Sequence, residues 1–389
     1  MKVNSIDIFC EIIDNFGDIG VVYRISKELK NIYQNARIRI VLNRTDEFKA
    51  INKRVKDLEY QEIDGLICTT FSYVKKNAES FGAADLFIEA FGCDVPEEYL
   101  KIAKKNSKLW INLEYLSGEK WIEDFHLCES LIDSKTLKKI FFMPGFSEKS
   151  GGVIIDSGFL KRKEYGMDNR EEVLKKYYPE IDFQNKLIGT VFSYEKNFEN
   201  LLETLEKQDR ETVLILMGEK TQKSFSEILQ KKFRENFGKI GKYGKITMLN
   251  ANFLSQEEYE EVISAVDFNF TRGEDSFVRS ILLGKPFMWH IYLQEEKAHM
   301  DKIRAFNDRF KESVYDELSL EEKDIIENYC QLLEKYNDRD KNSLEKGKED
   351  FRVFFENFSE IDFICKKYSK FLLEKCNLVK NIYNYIQEF

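Results

Sequence analysis

Short apolar runs alternate with amphipathic stretches along the first 150 residues of the chain. The run SIDIFC at residues 5–10 predicts a buried strand, and the glycine-bearing turn after it leads into a helix from about Ile19 to Tyr33. A helix is predicted near residues 46–56, and further apolar runs predict strands at residues 37–42, 86–91, 109–115 and 139–145. Strands separated by helices are typical of βαβ units, so this half predicts a parallel sheet covered on both faces.

A second alternating series follows a change of pattern at residues 150–185, where Gly151 and Gly152 precede a charged, helix-like segment. Its predicted helices lie near 196–207, 220–237 and 256–265, and its predicted strands are 187–194, 212–218, 245–250, 267–273 and 286–292. Charged amphipathic repeats without proline predict helices from about residue 318 to residue 389. The chain is therefore predicted to be an α/β protein with two Rossmann-like units and a helical C-terminal tail. Such proteins bind ligands at the carboxyl ends of their strands, here in a cleft between two sheets.

Composition narrows the class of protein. A chain of 389 residues with 43% hydrophobic residues exceeds one ordinary core, which agrees with two domains. The net charge of -9 argues against general binding to nucleic acid. The seven cysteines form no CxxC pair and the histidines number three, which argues against a zinc site and a disulfide framework. Because we find neither a signal peptide nor an apolar run long enough to span a membrane, we expect a cytoplasmic protein without a membrane partner.

The segment Asp14-Asn15-Phe16-Gly17-Asp18-Ile19-Gly20 directly follows the first predicted strand. Its glycines permit a tight turn and a close approach of the backbone to a ligand. Two carboxylates at the end of a strand are suited to binding a cation or accepting a proton. The structural alternative makes Asp18 the N-cap of the next helix and Asp14 a turn former, and spacing alone favours that alternative. The segment lacks the GxGxxG pattern, so a dinucleotide site is poorly supported.

A second polar segment, Thr271-Arg272-Gly273-Glu274-Asp275-Ser276, follows the predicted strand at residues 267–273. A strand that ends in glycine and opens a helix turns backbone amides and the positive end of the helix dipole toward a ligand, an arrangement that suits a diphosphate. Arg272 would add a charge-assisted contact. Helix capping by Asp275 or Ser276 is the structural alternative, and the residues alone leave the two interpretations equally supported.

Three weaker signals accompany these segments. Phe192-Ser193-Tyr194 and the stretch 253–259 could form an aromatic slot for a base, although in a chain with 32 phenylalanines a core role is the stronger interpretation. His290 is more simply a hydrogen-bonded core histidine than a catalyst. Asp338 and Asp340 form a DxD pair, but their polar, lysine-rich surroundings favour a solvated loop over a metal site.

Several long segments resemble the family of elongation factor P arginine rhamnosyltransferases (EarP). They recur in order from residue 7 to about residue 300 and read DIFCEIIDNFGDIGVVYRISKEL, IEAFGCDVP, WINLEYLSGEKW, FFMPGFSEKSGG, FTRGEDSFVRSILLGKPFMWHIY and QEEKAH. The resemblance implies a GT-B fold, dTDP-β-L-rhamnose as donor, and inverting transfer to an arginine of elongation factor P, without a metal or other cofactor. It further implies an acceptor domain at residues 1–165, completed by helices at 362–389, and a nucleotide-sugar domain at 170–361.

The resemblance also implies roles for individual residues. The catalytic carboxylates would be Asp14, Asp18 and Glu274, with Asp18 taking the proton late while the other two orient the guanidinium. The remaining acceptor-side residues would be Asn15, Phe16 and Gly17. The donor would be bound by Phe192, Tyr194, Phe253, Gln256, Tyr259, Arg272, Gly273, Asp275 and Ser276.

This sequence departs from the family pattern at two places, with Tyr259 where a phenylalanine is expected and VVYR where many relatives have a Cys-Trp pair. Both departures keep an aromatic ring and bear on the details of the pocket. Three other functions stay open on the sequence alone: a GT-B enzyme for another sugar or acceptor, a non-catalytic nucleotide-sugar-binding protein, and a nicotinamide oxidoreductase. The last is disfavoured by the missing glycine pattern.

Overall fold

The structure is a computed structural model that describes residues 1–13, 15–234, 238–339 and 345–389. The chain divides into two compact units, the first comprising Met1–Ser157 with Glu374–Phe389 and the second comprising Gly158–Leu373. Within the described residues, no helix combines the length and the apolar character needed to cross a bilayer.

The first unit is built on an eight-stranded sheet in the order β3-β4-β2-β1-β5-β6-β8-β7. Its strands are β1 Ser5–Cys10, β2 Arg37–Leu42, β3 Tyr60–Ile63, β4 Leu66–Thr70, β5 Leu86–Ala90, β6 Leu109–Leu113, β7 Glu129–Ser130 and β8 Lys138–Phe142. Its helices are α1 Asn15–Ile32, α2 Asp46–Ile51, α3 Phe71–Phe81, α4 Glu97–Asn106 and α5 Trp121–Phe125, and the last helix of the chain also belongs to it. The pairings are parallel except at the two edges, where β3 and β7 run antiparallel to their neighbours.

Alternation along β1 explains how this sheet is covered. Ile6, Ile8 and Cys10 belong to the core cluster on one face, whereas Phe9 belongs to the cluster on the other. The first cluster includes apolar residues of α1 and of the C-terminal helix, and the second includes residues of α3 and α4. Because successive side chains of a strand point to opposite faces, a run such as IDIFC has to be buried on both sides.

The second unit is built on a six-stranded sheet in the order β11-β12-β10-β9-β13-β14. Its strands are β9 Leu187–Phe192, β10 Thr212–Met217, β11 Ile240–Tyr243, β12 Ile246–Asn250, β13 Phe268–Arg272 and β14 Phe287–His290. Among the described strand pairs of this sheet, β11 and β12 run antiparallel and the others run parallel. The remaining helices are α6 Ser157–Asp168, α7 Arg170–Tyr177, α8 Glu199–Glu206, α9 Glu219–Phe233, α10 Gln256–Ala265, α11 Asp275–Leu283, α12 His299–Val314, α13 Leu320–Asn337, α14 Arg352–Glu356, α15 Phe358–Lys375 and, in the first unit, α16 Leu378–Glu388.

The predicted α/β class and the helical C-terminal tail are confirmed. The unit boundaries lie elsewhere than the predicted ranges 1–165 with 362–389 and 170–361. Helix α6 packs on the second unit, because Lys163 donates a hydrogen bond to the carbonyl of Leu282 (2.7 Å) and Arg162 pairs with Glu260 (2.6 Å). Helix α15 does the same through Ser369, whose hydroxyl also donates to the carbonyl of Leu282 (2.6 Å). Only residues 374–389 of the tail return to the first unit.

Candidate active site

Polar side chains gather in each unit at the point where the strand order reverses. In the first unit the chain passes from β1 to β2 on one side and continues with β5 on the other side of β1. In the second unit β9 is flanked in the same way by β10 and β13. Loops at the carboxyl ends of such strands diverge and leave a crevice, which is the usual ligand site of a doubly wound sheet. The predicted polar segments follow β1 in the first unit and β13 in the second.

The DNFGD segment forms the start of α1. Asp14 lies outside the described residues, whereas Asn15 opens the helix and Phe16, Gly17 and Asp18 fall in its first turn. Phe16 is exposed, with 46% of its surface accessible. The alternative prediction that Asp18 is the N-cap is wrong, because the helix begins before it.

The carboxylate of Asp18 is held in a fixed orientation. Its Oδ2 accepts a hydrogen bond from the backbone N–H of Ile13 (2.8 Å), and its Oδ1 accepts one from the hydroxyl of Tyr115 (3.3 Å). The residue is nearly buried, at 3% exposure. The carboxylate is thus held by the loop after β1, through Ile13, and by the loop after β6, through Tyr115. A side chain held in this way is pre-organised for a ligand at this edge.

Tyr115 is a site residue that the sequence analysis did not single out, although it lies in the quoted segment WINLEY. It follows β6, and its ring stacks on Phe91 at 4.4 Å between centroids and 16° between planes. Phe91 adopts a left-handed backbone conformation with φ of 61°. For a bulky residue this conformation is costly, and such outliers concentrate at functional sites. The position of Tyr115 at the end of the predicted strand 109–115, on the edge where ligands bind, could have indicated a site residue. The spacing of the sequence did not indicate that Tyr115 contacts Asp18.

The carboxyl edge of this sheet is acidic. Desolvation by burial raises the pKa of the Cys10 thiol well above its usual value, and the negative charges of Asp18 and Glu11 raise it further. Burial likewise raises the pKa of the Glu114 carboxyl, with a second contribution from the charge of Glu89. Asp18 and Glu11 thus act on Cys10, whereas Glu89 acts on Glu114 and is itself paired with Lys139 (2.9 Å). The charges of Asp18 and Glu11 make the segment after β1 suitable for a cationic ligand.

In the second unit the turn from β13 into α11 has the predicted strand–glycine–helix form. Gly273 has φ of +67°, a conformation that suits glycine, and Glu274 occupies the N-cap position without making a side-chain capping hydrogen bond. The alternative in which Asp275 or Ser276 caps the helix is wrong. Asp275 instead lies 3.7 Å from Arg279, and the Ser276 hydroxyl donates to the carbonyl of Arg272. Helix α11 thus begins at the carboxyl edge of the sheet. The positive end of its dipole lies at this edge and suits an anion.

Arg272 is held beside this turn by stacking and by a hydrogen bond. Its guanidinium lies 4.3 Å from the ring centroid of Phe192 and 5.1 Å from that of Tyr194. Its Nη1 donates to the main-chain carbonyl of Ser193 (3.3 Å). A planar cation that stacks on aromatic rings keeps its orientation. Arginine also suits phosphate because its planar fork of donors matches the geometry of the phosphate oxygens.

The predicted aromatic slot is partly assembled. The rings of Phe192 and Tyr259 are 5.9 Å apart at 59°, so these two residues from β9 and α10 come together. Gln256 is the first residue of α10, directly after the capping residue Ser255. Phe253 precedes that helix and has 67% of its surface exposed, which makes it available to a ligand rather than part of the core.

Two of the remaining polar signals, Asp338 and His290, have structural partners. Asp338 pairs with Lys297 (2.7 Å), and Asp340 lies outside the described residues. Over the described part of the chain, no group of three or more His, Cys, Asp or Glu side chains is placed to hold a metal ion. His290 is fully buried, as the core interpretation requires, and it hydrogen-bonds to Ser193.

Two doubly wound units, one with an acidic carboxyl edge and the other with an arginine, a helix N-terminus and aromatic rings at that edge, define the GT-B class of glycosyltransferase fold. A solved structure described as the structural basis for EarP-mediated arginine glycosylation of translation elongation factor EF-P has this fold. It superimposes with a TM-score of 0.63 at 19% identity and covers 99% of each chain.

Sequence comparison identifies the family. Residues 6–387 match the family model described as Elongation-Factor P (EF-P) rhamnosyltransferase EarP. A protein-arginine rhamnosyltransferase of Pseudomonas aeruginosa is 32% identical over 78% of this chain and 80% of its own length. One from Neisseria meningitidis serogroup B is 32% identical over 78% of both chains. The chain therefore belongs to the EarP family of protein-arginine rhamnosyltransferases.

Proposed function

We propose that this protein is an inverting glycosyltransferase that moves L-rhamnose from dTDP-β-L-rhamnose to an arginine side chain of translation elongation factor P, and so activates that factor. The observation that carries the proposal is the family match over residues 6–387, which includes both polar segments. Two further observations support it: the acidic edge of the first unit and the anion-ready turn of the second.

The second unit carries the donor half of the proposal. The diphosphate binds at the N-terminus of α11, where Gly273, Asp275 and Ser276 form the turn and Arg272 supplies a positive charge. Thymine lies against the aromatic side chains of Phe192, Tyr194, Phe253 and Tyr259, with Gln256 beside its polar edge. Support comes from the paired rings of Phe192 and Tyr259 and from the exposure of Phe253.

The first unit carries the acceptor half. An arginine guanidinium is planar, cationic and rich in donors, so it suits an edge lined by carboxylates. Support comes from Asp18, whose carboxylate is oriented by Ile13 and Tyr115, and from the neighbouring charge of Glu11. In the proposal Asn15, Phe16 and Gly17 form the acceptor-side start of α1.

The chemical step is a single displacement. A guanidinium nitrogen forms a bond to the anomeric carbon while the bond from that carbon to the diphosphate oxygen breaks, which inverts the configuration. The guanidinium pKa lies far above neutral pH and far above that of a carboxyl group, so a carboxylate cannot remove the proton beforehand. Asp18 therefore accepts the proton late, as the carbon–nitrogen bond forms, and dTDP leaves with its charge stabilised by Arg272 and the α11 dipole. Asp14 and Glu274 are the further catalytic carboxylates of the proposal.

The stabilisation of the leaving group by protein groups is the reason to propose transfer without a metal ion or other cofactor. The acceptor is a translation factor, so we also propose that the protein acts in the cytoplasm. Neither nucleic acid nor a membrane has a part in the proposed reaction.

Intact-mass measurement of elongation factor P tests the proposal. Incubation with the purified protein and dTDP-rhamnose should add one deoxyhexose, and no addition should occur without donor or after the acceptor arginine is replaced. NMR of the modified arginine should show an α-linked rhamnose, the product of inversion from a β-linked donor. An unmodified factor, with dTDP still bound by the protein in calorimetry, would direct the search to another acceptor or to a binding role.

A further inference from the structure

A hydrogen bond between His290 and Ser193 spans the end of β13, the strand that carries Arg272. Strands β9 and β14 flank β13, and His290 at the end of β14 is paired in register with Arg272. The Nδ1 of His290 nevertheless reaches Ser193, the residue after β9, at 2.6 Å from its Oγ. Neighbouring strands are about 4.8 Å apart, so this contact ties together two strand ends about 10 Å apart, one on each side of Arg272.

Ser193 is the point from which Arg272 is held. The Ser193 carbonyl accepts a hydrogen bond from Arg272 Nη1 (3.3 Å) and another from the Thr221 hydroxyl (3.1 Å). The Thr221 Oγ1 in turn accepts from the Ser193 N–H (2.8 Å). The Ser193 hydroxyl bonds to His290 and lies 3.4 Å from the Tyr336 hydroxyl, so Ser193 is held through all three of its polar groups. We call Ser193 and His290 the strand-end clasp.

His290 is placed here at a cost to stability. It is fully buried, and its Nε2 has no hydrogen-bond partner among the described residues. Burial, followed by the nearby charges of Lys196, Arg339, Arg272 and His299, holds its pKa well below the usual value, so the ring is neutral. A phenylalanine would fill the same space without an unpartnered nitrogen. Packing therefore does not explain a histidine at this position, whereas its bond to Ser193 does.

We propose that the strand-end clasp positions Arg272 for the diphosphate of the donor, which makes His290 and Ser193 positioning residues for the transfer reaction. The inference rests on the proposed function, since it assigns Arg272 to the leaving group. The clasp keeps the Ser193 carbonyl in place, and that carbonyl, together with the two aromatic rings, fixes the plane of the guanidinium. A guanidinium held in place before binding loses less freedom when the anion arrives.

Two substitutions of His290 separate positioning from packing. His290→Phe keeps a buried ring but removes the bond to Ser193. His290→Asn removes most of the ring but keeps an amide group at the position of Nδ1, within reach of the Ser193 hydroxyl. Positioning predicts that the phenylalanine variant is about as stable as the wild type, because losing the unpartnered nitrogen offsets the lost bond and the Ser193 hydroxyl keeps the Tyr336 hydroxyl at 3.4 Å. It should nevertheless bind dTDP about five- to ten-fold more weakly, the effect of one lost hydrogen bond. The asparagine variant should be less stable but bind dTDP within about two-fold of the wild type. A merely structural role predicts the opposite order.

Calorimetry with dTDP and thermal unfolding should be measured on the same preparations of the full-length protein. Combining His290→Phe with Arg272→Ala should weaken dTDP binding no further than Arg272→Ala alone, because the clasp acts through that guanidinium. His126→Phe is the matched control. His126 is a half-buried histidine of the first unit whose Nδ1 accepts a backbone hydrogen bond from Met143 (3.3 Å), and its loss should leave dTDP affinity unchanged.

The outcomes are distinct for the inference and for the proposed function. Equal dTDP affinity and transfer rate in the wild type and His290→Phe would overturn the inference. Should that variant not fold, Ser193→Ala removes the same bond and must show the same weakening. A wild type that binds dTDP without modifying elongation factor P would contradict the proposed acceptor, while the comparison of affinities would still decide the role of the clasp. A wild type that does not bind dTDP would overturn both.

Discussion

Replacing Asp18 by asparagine removes one negative charge and one proton acceptor while it preserves the shape of the side chain. The side-chain oxygen of the asparagine can still accept from the Ile13 N–H, and its amide nitrogen can donate to the Tyr115 hydroxyl oxygen. The fold around the start of α1 should therefore persist. Exchanging a charge-assisted hydrogen bond for a neutral one should cost about 1 kcal/mol of stability.

The effect on transfer should be far larger than the effect on stability. A positioned general base contributes about 10²–10⁴-fold to a rate. At about 1.36 kcal/mol for each factor of ten, that range corresponds to about 2.7–5.4 kcal/mol of lost transition-state stabilisation. Because Asp18 belongs to the proposed acceptor half, the loss should fall on kcat, and the KM for dTDP-rhamnose should stay close to its wild-type value.

The assay is a time course of intact masses of elongation factor P at several donor concentrations. Asp64→Asn is the matched control in the same unit. Asp64 also accepts a hydrogen bond from a tyrosine, Tyr23, and another from Asn52 (3.2 Å), but it lies in the turn between β3 and β4 at the edge of the sheet. The Asp64→Asn variant should keep most of the wild-type transfer rate. Near-normal turnover by Asp18→Asn, in a protein that unfolds like the wild type, would refute the assignment of Asp18 as the base.

Further predictions follow from neighbouring groups. Tyr115→Phe removes the hydroxyl that orients Asp18, so kcat should fall about five-fold at unchanged donor KM in the same mass assay. The depressed pKa of His290 means that the unfolded chain binds the extra proton. Stability should therefore be full above about pH 6.5 and fall as the pH decreases, by up to about 1.4 kcal/mol per unit, and His290→Phe should remove that part of the slope in urea unfolding at pH 7.5 and 5.5. Lys196→Met should cost about 3 kcal/mol because it leaves the carboxylate of Glu349 buried without its partner at 3.2 Å, and Lys196→Met with Glu349→Leu should recover most of the loss in the same titration. EDTA should leave the transfer rate unchanged; a loss that Mg²⁺ restores would contradict metal-independent departure of dTDP.

Most inner strands of the two units were predictable because each is a continuous apolar run buried on two faces, whereas the inner strand β4, with the sequence LICTT, was missed. Strand β10, with the sequence TVLILM, is buried at every position. The edge strands β3 and β11 were missed because they are poorly buried: alternate residues of YQEI are exposed, and no residue of IGKY is fully buried. An edge strand of four residues carries too little apolar pattern to be distinguished from a loop.

The site was predictable where neighbouring residues in the sequence act together. Arg272, Gly273 and the start of α11 form one continuous turn, so the residues alone indicated an anion site there. The contact of Tyr115 with Asp18 and that of His290 with Ser193 each join residues 97 positions apart. Such pairs depend on which strands become neighbours in the sheet, and the sequence pattern of a strand does not determine its neighbours.

Buried polar side chains are not all paired to the same degree. Within the first sheet Asp7 is buried and fully paired, with Arg39 at 2.6 Å and the Tyr99 hydroxyl at 2.7 Å, as a charge in a core must be. At the carboxyl edge of the second sheet, His290 keeps an unpartnered nitrogen in the interior. Other buried polar atoms among the described residues also lack a partner, such as Thr212 Oγ1 and Asn112 Oδ1, so an incomplete pairing alone does not indicate a function. What distinguishes His290 in the proposal is its place one strand from Arg272, where its bond to Ser193 would position a functional cation.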